Sequence, residues 1–347
     1  MHPVSGAPVG VSGHVVRQGS GGAVAEELQQ EQVETGTAPV LTLDGLGAEI
    51  ARLRLAAAAE AGAAGARLAA LATSPIAVDP SVTTTSRYQR MVQLYGLAGS
   101  DQLVCGLHVH VETQSPDEAV GALDRIRPWL PVLLALSANS PYWHGADSGY
   151  QSYRTQAWSR WPTAGPSGTF GSLPGYRATV AAMVATEGVL DDGMVYFDAR
   201  LGHDLPTLEV RVADVCTAAE DTVLIAALTR ALVDTAARSW QRDEPVPRVR
   251  TEVLRLASWR ASRVGVTDRL VHPVTSAVVP AWDAVAALRA YVAESLAGAG
   301  DSAMVDGLLD QVRSRGTGAA AQRASYQRRG RLADVVQDAV RRTVEGL

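Results

Sequence analysis

The sequence predicts an α+β fold, because strand and helix patterns are mixed along the chain and one pair of strands forms a hairpin. The clearest strand covers residues 104–111, where polar and apolar side chains alternate. Two further strands, at 194–200 and 207–213, are separated by a turn containing Gly202 and Pro206, which predicts an antiparallel pair. The mixture therefore indicates a largely antiparallel sheet with helices packed on it.

Three strands each place apolar residues on one face and polar residues on the other. A single outward-facing His or Glu on a strand is usually only solvated, but three such strands together favour a functional face. We therefore predict that the strands at about 28–36, 104–111 and 207–213 share one sheet, whose polar face is the active site. The residues on this face are Gln30, Gln32, Glu34, Gly106, His108, His110, Glu209 and Arg211.

The first half of the chain alternates between loops, strands and helices. Ser115, Pro116 and Glu118 match the start of a helix, with Ser115 as N-cap and Glu118 completing a capping box. The elements predicted before residue 130 are a loop over 1–23, the strand at 28–36, a helix from Gly45 to Gly62 with Asp44 as N-cap, a buried strand at 67–73, a helix at 87–97, the strand at 104–111 and a helix from 116 to about 127.

The second half is predicted to be mainly helical. Residues 140–175 form a long loop that is dense in aromatic residues, and long loops inside compact domains are commonly binding loops. The elements predicted around it are a helix at 129–139, a helix at 174–190, the hairpin, two helices within 218–241 and an almost wholly helical segment at 245–347.

The basic residues exclude several kinds of chemistry. All 31 are Arg, since the sequence contains no Lys. This rules out a Walker A lysine, a Schiff base and attachment of pyridoxal phosphate. Any phosphate must be bound by Arg, by metal ions or by backbone N–H groups. The net charge of −5 gives no reason to expect a nucleic-acid partner.

The cysteines and the start of the chain predict the compartment. Cys105 and Cys216 are the only cysteines, which argues against a disulfide framework and against a cysteine-based zinc site. The N-terminus lacks a charged region followed by an apolar core, and no apolar run of membrane-spanning length occurs. We expect a cytoplasmic protein without a membrane partner.

Two metal sites are compatible with the polar face. Glu34, His108 and Glu209 have the donor types of a Mg²⁺ or Mn²⁺ site, and Arg211 beside such a metal would neutralise a polyphosphate. A surface ion pair between Glu209 and Arg211 is the simpler alternative. His108 and His110 also suggest a zinc hydrolase, but no recognisable second ligand motif follows them.

Five ordered motifs carry a resemblance to a known family. They are QQEQVETGT at 29–37, CGLHVHV at 105–111, SANSPYW at 137–143, GYQSYRTQ at 149–156 and TLEVRVADV at 207–215. Together they resemble the glutamate–cysteine ligase type 2 family of ATP-dependent carboxylate–amine ligases. The likeness continues at WRASR, 259–263, and GTGAAAQR, 316–323, so residues 1–347 are interpreted as one catalytic domain.

The resemblance implies a glutamine-synthetase-like fold, with a curved, mainly antiparallel sheet and helices on its outer face. It implies cofactors, ATP with Mg²⁺ or Mn²⁺, and small-molecule partners, L-glutamate with L-cysteine or another amine. ATP would phosphorylate the γ-carboxyl group of glutamate, and the amine would displace phosphate. The oligomeric state stays open, with a homodimer as one option. The residues that match family positions are Glu34, His108 and Glu209 as metal ligands, Arg211 as the catalytic, phosphate-contacting arginine, and Tyr150 and Arg154 as substrate-binding residues.

One part of the family pattern has no counterpart in this sequence. The family opens with a strand containing Gly-x-Glu-Glu-Glu, whereas residues 1–9 resemble the loop that follows that strand. The expectation is therefore a ligase with fewer metal-binding carboxylates and weak activity. The alternatives are a metal-dependent amidohydrolase that uses His108 and His110, and a non-catalytic relative that binds nucleotide or amino acid.

Overall fold

The computed structural model describes residues 1–18 and 24–347, with the side chains of Arg17 and Gln18 left out. The part of the predicted 1–23 loop at 19–23 lies outside the described residues. The helices are α1 Ser12–Gln18, α2 Leu43–Ala63, α3 Ser86–Tyr95, α4 Leu97–Ser100, α5 Pro116–Ile126, α6 Leu130–Ser137, α7 Tyr153–Trp158, α8 Leu173–Ala185, α9 Ala219–Gln241, α10 Thr251–Val264, α11 Ala281–Tyr291, α12 Ala293–Ala299, α13 Ser302–Arg315, α14 Gly318–Arg329 and α15 Leu332–Val344. Short 3₁₀ turns cover Arg127–Trp129 and Asp192–Met194.

The strands form small antiparallel sheets, which confirms a mixed α and β structure. They are β1 Val24–Glu26, β2 Val33–Thr35, β3 Gly106–Glu112, β4 Tyr142–Trp143, β5 Ala146–Asp147, β6 Ala199–Leu201, β7 Thr207–Asp214, β8 Arg269–Val271 and β9 Val278–Pro280. The central sheet has the order β3–β7–β6, and the other strands pair as β1–β2, β4–β5 and β8–β9.

One prediction about the central sheet is wrong. Glu34 lies in the short strand β2, which pairs with β1 instead of joining β3 and β7 in the central sheet. The reason is local: residues 24–26 form a neighbouring strand that satisfies the backbone of β2 within a short antiparallel pair. Glu34 therefore approaches the polar face from a separate element.

Several other boundaries differ from the predictions. The 67–73 segment is not a strand and forms only an isolated bridge from Thr73 to Val104, since its backbone is bonded mostly to loops. Residues 219–241 form one helix instead of the two predicted within 218–241. Helix α2 is capped by the hydroxyl of Thr42, not by Asp44. The predicted cap at Ser115 is confirmed, whereas Glu118 accepts the N–H of Gln114 instead of that of Ser115.

The central sheet buries its apolar face against helices. Leu208 and Val210 of β7 lie in the main core with α5, α6 and α9, which are apolar on the sides that face the sheet. Leu123, Leu133 and Leu228 are completely or almost completely buried there. This packing fixes the orientation of β7, so that its alternate side chains must point to the opposite, polar face. None of the helices in the described ranges has both the length and the apolar character that crossing a bilayer requires.

A β-bulge changes which residues of β7 reach the polar face. Leu107 pairs with Ala213 and Val109 pairs with Val210, so β7 has one more residue than β3 between these pairs. Without the bulge, Asp214 would point to the face opposite Glu209. With it, Asp214 pairs with Gly106 while Glu209 pairs with His110, and both acidic residues share the polar face with Gly106 and His110.

The Asp214 carboxylate connects the sheet to the segment that follows α6. Its oxygens accept the N–H of Asn139 at 2.8 Å and the hydroxyls of Ser140 and Ser152 at 2.7 and 2.8 Å. The Ser140 hydroxyl in turn accepts the backbone N–H of Arg154 at 3.0 Å. One fully buried carboxylate thus positions the start of α7 beside the polar face.

Replacing Asp214 by Asn should destabilise the protein by about 3 kcal/mol, because an amide cannot accept bonds from all three donors and leaves buried polar groups unpaired. The measurement is urea unfolding of the parent and the variant. Asp147→Asn is the control, since Asp147 forms a half-exposed pair with Arg323 and should cost about 1 kcal/mol or less. Equal, small losses for both variants would contradict the organising role of Asp214.

A second prediction concerns the contact between α5 and α9. A Cβ atom at Gly121 would overlap the Trp240 indole, whereas a Cβ atom at Gly307 in α13 would meet open space. Gly121→Ala should therefore lower the free energy of unfolding by about 1–3 kcal/mol through overpacking. Gly307→Ala should leave it unchanged or raise it by up to about 1 kcal/mol through helix propensity. Thermal unfolding of both variants checks the pair, and a stable Gly121→Ala protein would contradict the packing.

Candidate active site

The polar face of the central sheet brings together charged residues from all three strands. Glu209 of β7 lies between His110 of β3 and Arg200 of β6, as the strand pairing requires. Two residues further along β7, the backbone N–H of Arg211 donates a hydrogen bond to the carbonyl of Asp198 at 2.8 Å. The face therefore contains two arginines, two histidines of β3 and acidic residues within a few strand positions.

Glu209 is the anionic centre of this face. It is 3% exposed. One carboxylate oxygen accepts a hydrogen bond from Nε of Arg200 at 2.6 Å, and the other accepts one from Nη1 of Arg211. This second oxygen also lies 3.6 Å from Nδ1 of His108 and 3.8 Å from Nε2 of His110. Burial acts to raise the pKa of Glu209, but Arg211 and Arg200 outweigh it and hold the pKa below its usual value. Glu209 is thus a stable carboxylate that orients both guanidinium groups.

Arg211 is a buried cation with unused hydrogen-bonding capacity. Arg211 is 8% exposed, and its Nε atom has no hydrogen-bond partner in the described structure. Its Nη1 atom lies 3.4 Å from Nδ1 of His108, and its guanidinium lies 5.9 Å from the ring centre of Tyr196. Because a buried N–H without a partner is costly, Arg211 is suited to accept an anionic ligand.

The two histidines differ in exposure and in surroundings. Burial and the charge of Arg211 lower the pKa of His108 well below its usual value, so its imidazole is neutral near pH 7. Burial also lowers the pKa of His110, against the opposing effect of Glu209. Nδ1 of His110 lies 3.0 Å from the Thr207 hydroxyl. Neutral imidazoles of this kind can donate a nitrogen lone pair to a metal.

Two carboxylates approach the face from the β1–β2 pair. Glu27 follows β1, and Glu34 in β2 is in hydrogen-bond contact with it. Burial and the adjacent Glu34 carboxylate raise the pKa of Glu27 to about 7, and Arg211 opposes that increase. Carboxylate oxygens of this kind are the ligands that Mg²⁺ and Mn²⁺ prefer in proteins.

Arg154 lies at the end of the face where Gly106 leaves room for it. A Cβ atom at Gly106 would overlap its guanidinium. Arg154 is 4% exposed, lies 3.9 Å from Asp214, and donates weakly to the carbonyls of Val212 and Arg211 at 3.4 and 3.3 Å. Its Nε atom has no partner in the described residues. Arg154 is therefore a second buried cation with a free donor.

Tyr150 lies in different surroundings from Arg154, although only three residues separate them. Its hydroxyl accepts a hydrogen bond from Nε1 of Trp259 at 3.3 Å, and its ring centre lies 5.3 Å from the guanidinium of Arg263. Its ring also contacts that of Tyr153. Tyr150 thus packs against α10, and the contacts described for its side chain are with Trp259, Arg263 and Tyr153 and not with the other predicted site residues.

The assignments of Glu34, His108 and Glu209 to a metal, of Arg211 to phosphate, and of Tyr150 and Arg154 to substrate stay predictions. In the ranges 1–18 and 24–347, no group of three or more His, Cys, Asp or Glu residues is arranged to hold a metal ion. Glu209 is already engaged by two arginines, and Glu34 is paired with Glu27. A metal at this face would need ligands from a substrate or from water.

Sequence reasoning missed three residues of the face: Glu27, Arg200 and Asp214. Arg200 lies in the predicted strand 194–200, and alternation within that strand could have identified it. Glu27 lies seven residues before Glu34, but only the β1–β2 pairing shows that they meet. Asp214 carried no usable signal, because the bulge reverses its orientation.

The described cavities lie away from this face. The larger, of about 190 Å³, lies between the end of α9 and α11–α12 and is lined by residues that include Arg238, Glu244 and Tyr291. The smaller is lined by residues that include Trp143 and His144.

Comparisons with known proteins identify the family. The profile of Glutamate-cysteine ligase family 2 matches residues 3–339. A protein of Frankia alni named "Putative glutamate--cysteine ligase 2-2" is 54% identical, over 91% of this chain and 83% of the relative. Proteins named "Putative glutamate--cysteine ligase 2-1" are 50% identical in Streptomyces avermitilis, over 92% of this chain and 88% of the relative, and 49% identical in Paenarthrobacter aurescens, over 93% and 84%. The chain belongs to glutamate–cysteine ligase family 2.

Proposed function

We propose that this protein is an ATP-dependent carboxylate–amine ligase that joins the γ-carboxyl group of L-glutamate to L-cysteine or another amine. Membership of a ligase family supports amide-bond formation. The observation that carries the proposal is Arg211, a buried arginine with a free Nε, held by Glu209 and facing the paired carboxylates Glu27 and Glu34.

The proposed ATP site uses arginines in place of lysine. Phosphoryl transfer depends on positioning and on neutralising negative charge, which fixed guanidinium groups supply. Arg211 can contact the transferring phosphate through its free Nε, while Arg200 is held by Glu209 and by the carbonyls of Gly193 and Val195, each at 2.9 Å. Since Glu209 fixes both cations before a ligand binds, little reorganisation is needed.

Mg²⁺ or Mn²⁺ fits the chemistry of Glu27 and Glu34. Mg²⁺ commonly uses one or two carboxylates and completes its shell with water and substrate phosphates, so a cage of three protein ligands is not required. Burial and the adjacent Glu34 carboxylate raise the pKa of Glu27, and a divalent cation would compensate for both effects. When bound, the metal would neutralise phosphate charge, and neutral His108 could serve as a further ligand.

Arg154 is proposed to bind the amino-acid substrate, and the chain's own residues hold it in place. Asp214 and Ser140 fix the start of α7, and Gly106 provides the space that the guanidinium occupies. A γ-glutamyl phosphate formed beside Arg211 would then be attacked by the amine. Tyr150 is kept as a more distant candidate for the substrate loop, since it packs on α10.

We also propose a cytoplasmic location, where Cys105 and Cys216 would stay reduced. A glutamine-synthetase-like arrangement would extend the polar face of the three-stranded sheet with the β1–β2 pair. The amidohydrolase alternative is not favoured, because a catalytic zinc ion needs three protein ligands and the described residues offer no such group.

The direct test is turnover in variants of the two central residues. Arg211→Lys should lower Mg²⁺-dependent phosphate release from ATP, with L-glutamate and L-cysteine, by about 10²–10³-fold, because an ammonium cannot replace the fixed guanidinium. Glu209→Gln should lower phosphate release by as much, since the substitution weakens the contacts that hold Arg200 and Arg211 in place. Arg289→Lys and Glu252→Gln are the controls, as both residues lie in exposed ion pairs on distant helices.

Unchanged turnover in Arg211→Lys would contradict the phosphate site. Turnover that needs no ATP would favour the amidohydrolase alternative. Binding of ATP and Mg²⁺ without any turnover by the parent protein, across a panel of amines, would identify a non-catalytic relative.

A further inference from the structure

Three glutamines of the QQEQVETGT motif have no part in the proposed chemistry, yet each donates its side-chain amide to a different part of the chain. Gln29 donates to α4, to the carbonyls of Gly99 and Ser100, at 3.3 Å in each case. Gln30 donates to the carbonyl of Val82 at 3.0 Å. These two residues attach the β1–β2 segment to its immediate surroundings, outside the central sheet.

Gln32 makes the contact that reaches the central sheet. Its amide nitrogen lies 2.7 Å from the carbonyl oxygen of Val104 and 3.1 Å from the Sγ atom of Cys105, and its two N–H groups can serve both acceptors. Val104 and Cys105 directly precede β3. Across the part of the chain that the structure describes, no other hydrogen bond joins residues 24–36 to β3, β6, β7 or these two residues.

The acceptors of Gln32 are themselves fixed to the end of the central sheet. The backbone N–H of Cys105 donates to the carbonyl of Ala72 at 2.9 Å, and the carbonyl of Cys105 accepts the N–H of Val215, directly after β7, at 3.2 Å. On the donor side, Gln32 directly precedes β2, which carries Glu34 and pairs with β1. Gln32 therefore joins two sheets that share no strand.

The two sheets carry the two halves of the proposed metal–phosphate site. Glu27 and Glu34 come from the β1–β2 side, whereas Arg211 and its partner Glu209 belong to β7. Mg²⁺ demands near-octahedral ligands at about 2.0–2.1 Å, so a shift of about 1 Å between the halves would break a shell that includes both carboxylate and phosphate. The separation of the two sheets must therefore be fixed.

We propose that Gln32 is a positioning residue, which holds the Glu27–Glu34 pair at the distance from Arg211 at which one divalent ion contacts both the carboxylates and a phosphate of ATP. This inference rests on the proposed ligase function and adds the residue that connects its metal side to its phosphate side. Metal and nucleotide should then strengthen each other's binding, and part of this coupling should depend on the hydrogen bond from Gln32 to Val104.

The test measures how much a metal ion improves nucleotide binding. Calorimetry with the full 347-residue chain gives the dissociation constant of a non-hydrolysable ATP analogue, once with excess Mn²⁺ and once with EDTA. The parent should bind the analogue about tenfold or more tightly with Mn²⁺. Gln32→Met keeps the size of the side chain and removes the donor. It should reduce this gain to about twofold and leave the affinity in EDTA within about twofold, because Arg211 is unchanged.

Gln30→Met is the comparison within the same motif. It also removes one amide donor, but the bond that it breaks leads to Val82 and not to the residues before β3. It should keep the Mn²⁺-dependent gain within about twofold of the parent's, whereas urea unfolding should show a similar loss of stability for both variants. Gln241→Met is the remote control, since Gln241 of α9 donates to Glu118 of α5.

A second readout needs no variant and uses the thiol that Gln32 contacts. Because ligand binding and the Gln32 contact strengthen each other, the analogue with Mn²⁺ should slow alkylation of Cys105 by iodoacetamide by about threefold or more. The analogue in EDTA should leave the rate unchanged. Mass spectrometry distinguishes Cys105 from Cys216, which is buried.

The inference is overturned if Gln32→Met keeps the full Mn²⁺-dependent gain, if Gln30→Met loses the gain equally, or if Mn²⁺ and the analogue leave alkylation of Cys105 unchanged. In each of these cases the parent still binds metal and nucleotide together, so the proposed function survives. If Mn²⁺ does not improve nucleotide binding by the parent, the proposed metal–phosphate site fails and the inference fails with it.

Discussion

The buried carboxylate of Asp214 is the interaction on which the arrangement of the site depends. It accepts three hydrogen bonds, from Asn139 and Ser140 just after α6 and from Ser152 just before α7. A buried carboxylate needs several donors, and here these donors fix the path of the chain between α6 and α7. Arg154, at the second position of α7, is thereby placed over the sheet. One acidic residue on a strand thus determines where a distant arginine can act.

The polar face combines fixed charges in a way that suits anionic ligands. Glu209 holds two arginines and is itself almost completely buried, so these cations are positioned in the absence of a ligand. Arg154 adds a third cation at the Gly106 end, and Glu27 and Glu34 form an acidic pair that reaches the face from β1 and β2. Because Glu27 is close enough to Arg211 for the two charges to interact, this arrangement supports the proposal that a metal–polyphosphate and an amino acid bind side by side on the face.

Much of this face could be predicted from the sequence, because period-2 alternation correctly placed His108, His110, Glu209 and Arg211 together. The hairpin that carries Arg200 was also predictable from its turn. Alternation failed where the backbone departs from regularity. The bulge in β7 moved Asp214 to the polar face, and no residue type in that stretch marks a bulge. The position of Glu34 was also beyond a local pattern, since which strand pairs with β2 depends on tertiary contacts.

The measurement that tests the central claim most directly follows oxygen from substrate to phosphate. The protein is incubated with ATP, Mg²⁺, L-cysteine and L-glutamate labelled with ¹⁸O in its γ-carboxyl group, and the products are analysed by mass spectrometry. A ligase acting through an acyl phosphate must transfer one labelled oxygen to inorganic phosphate and form the γ-glutamyl dipeptide. Dipeptide formation accompanied by unlabelled phosphate, or by AMP and pyrophosphate, would contradict the account.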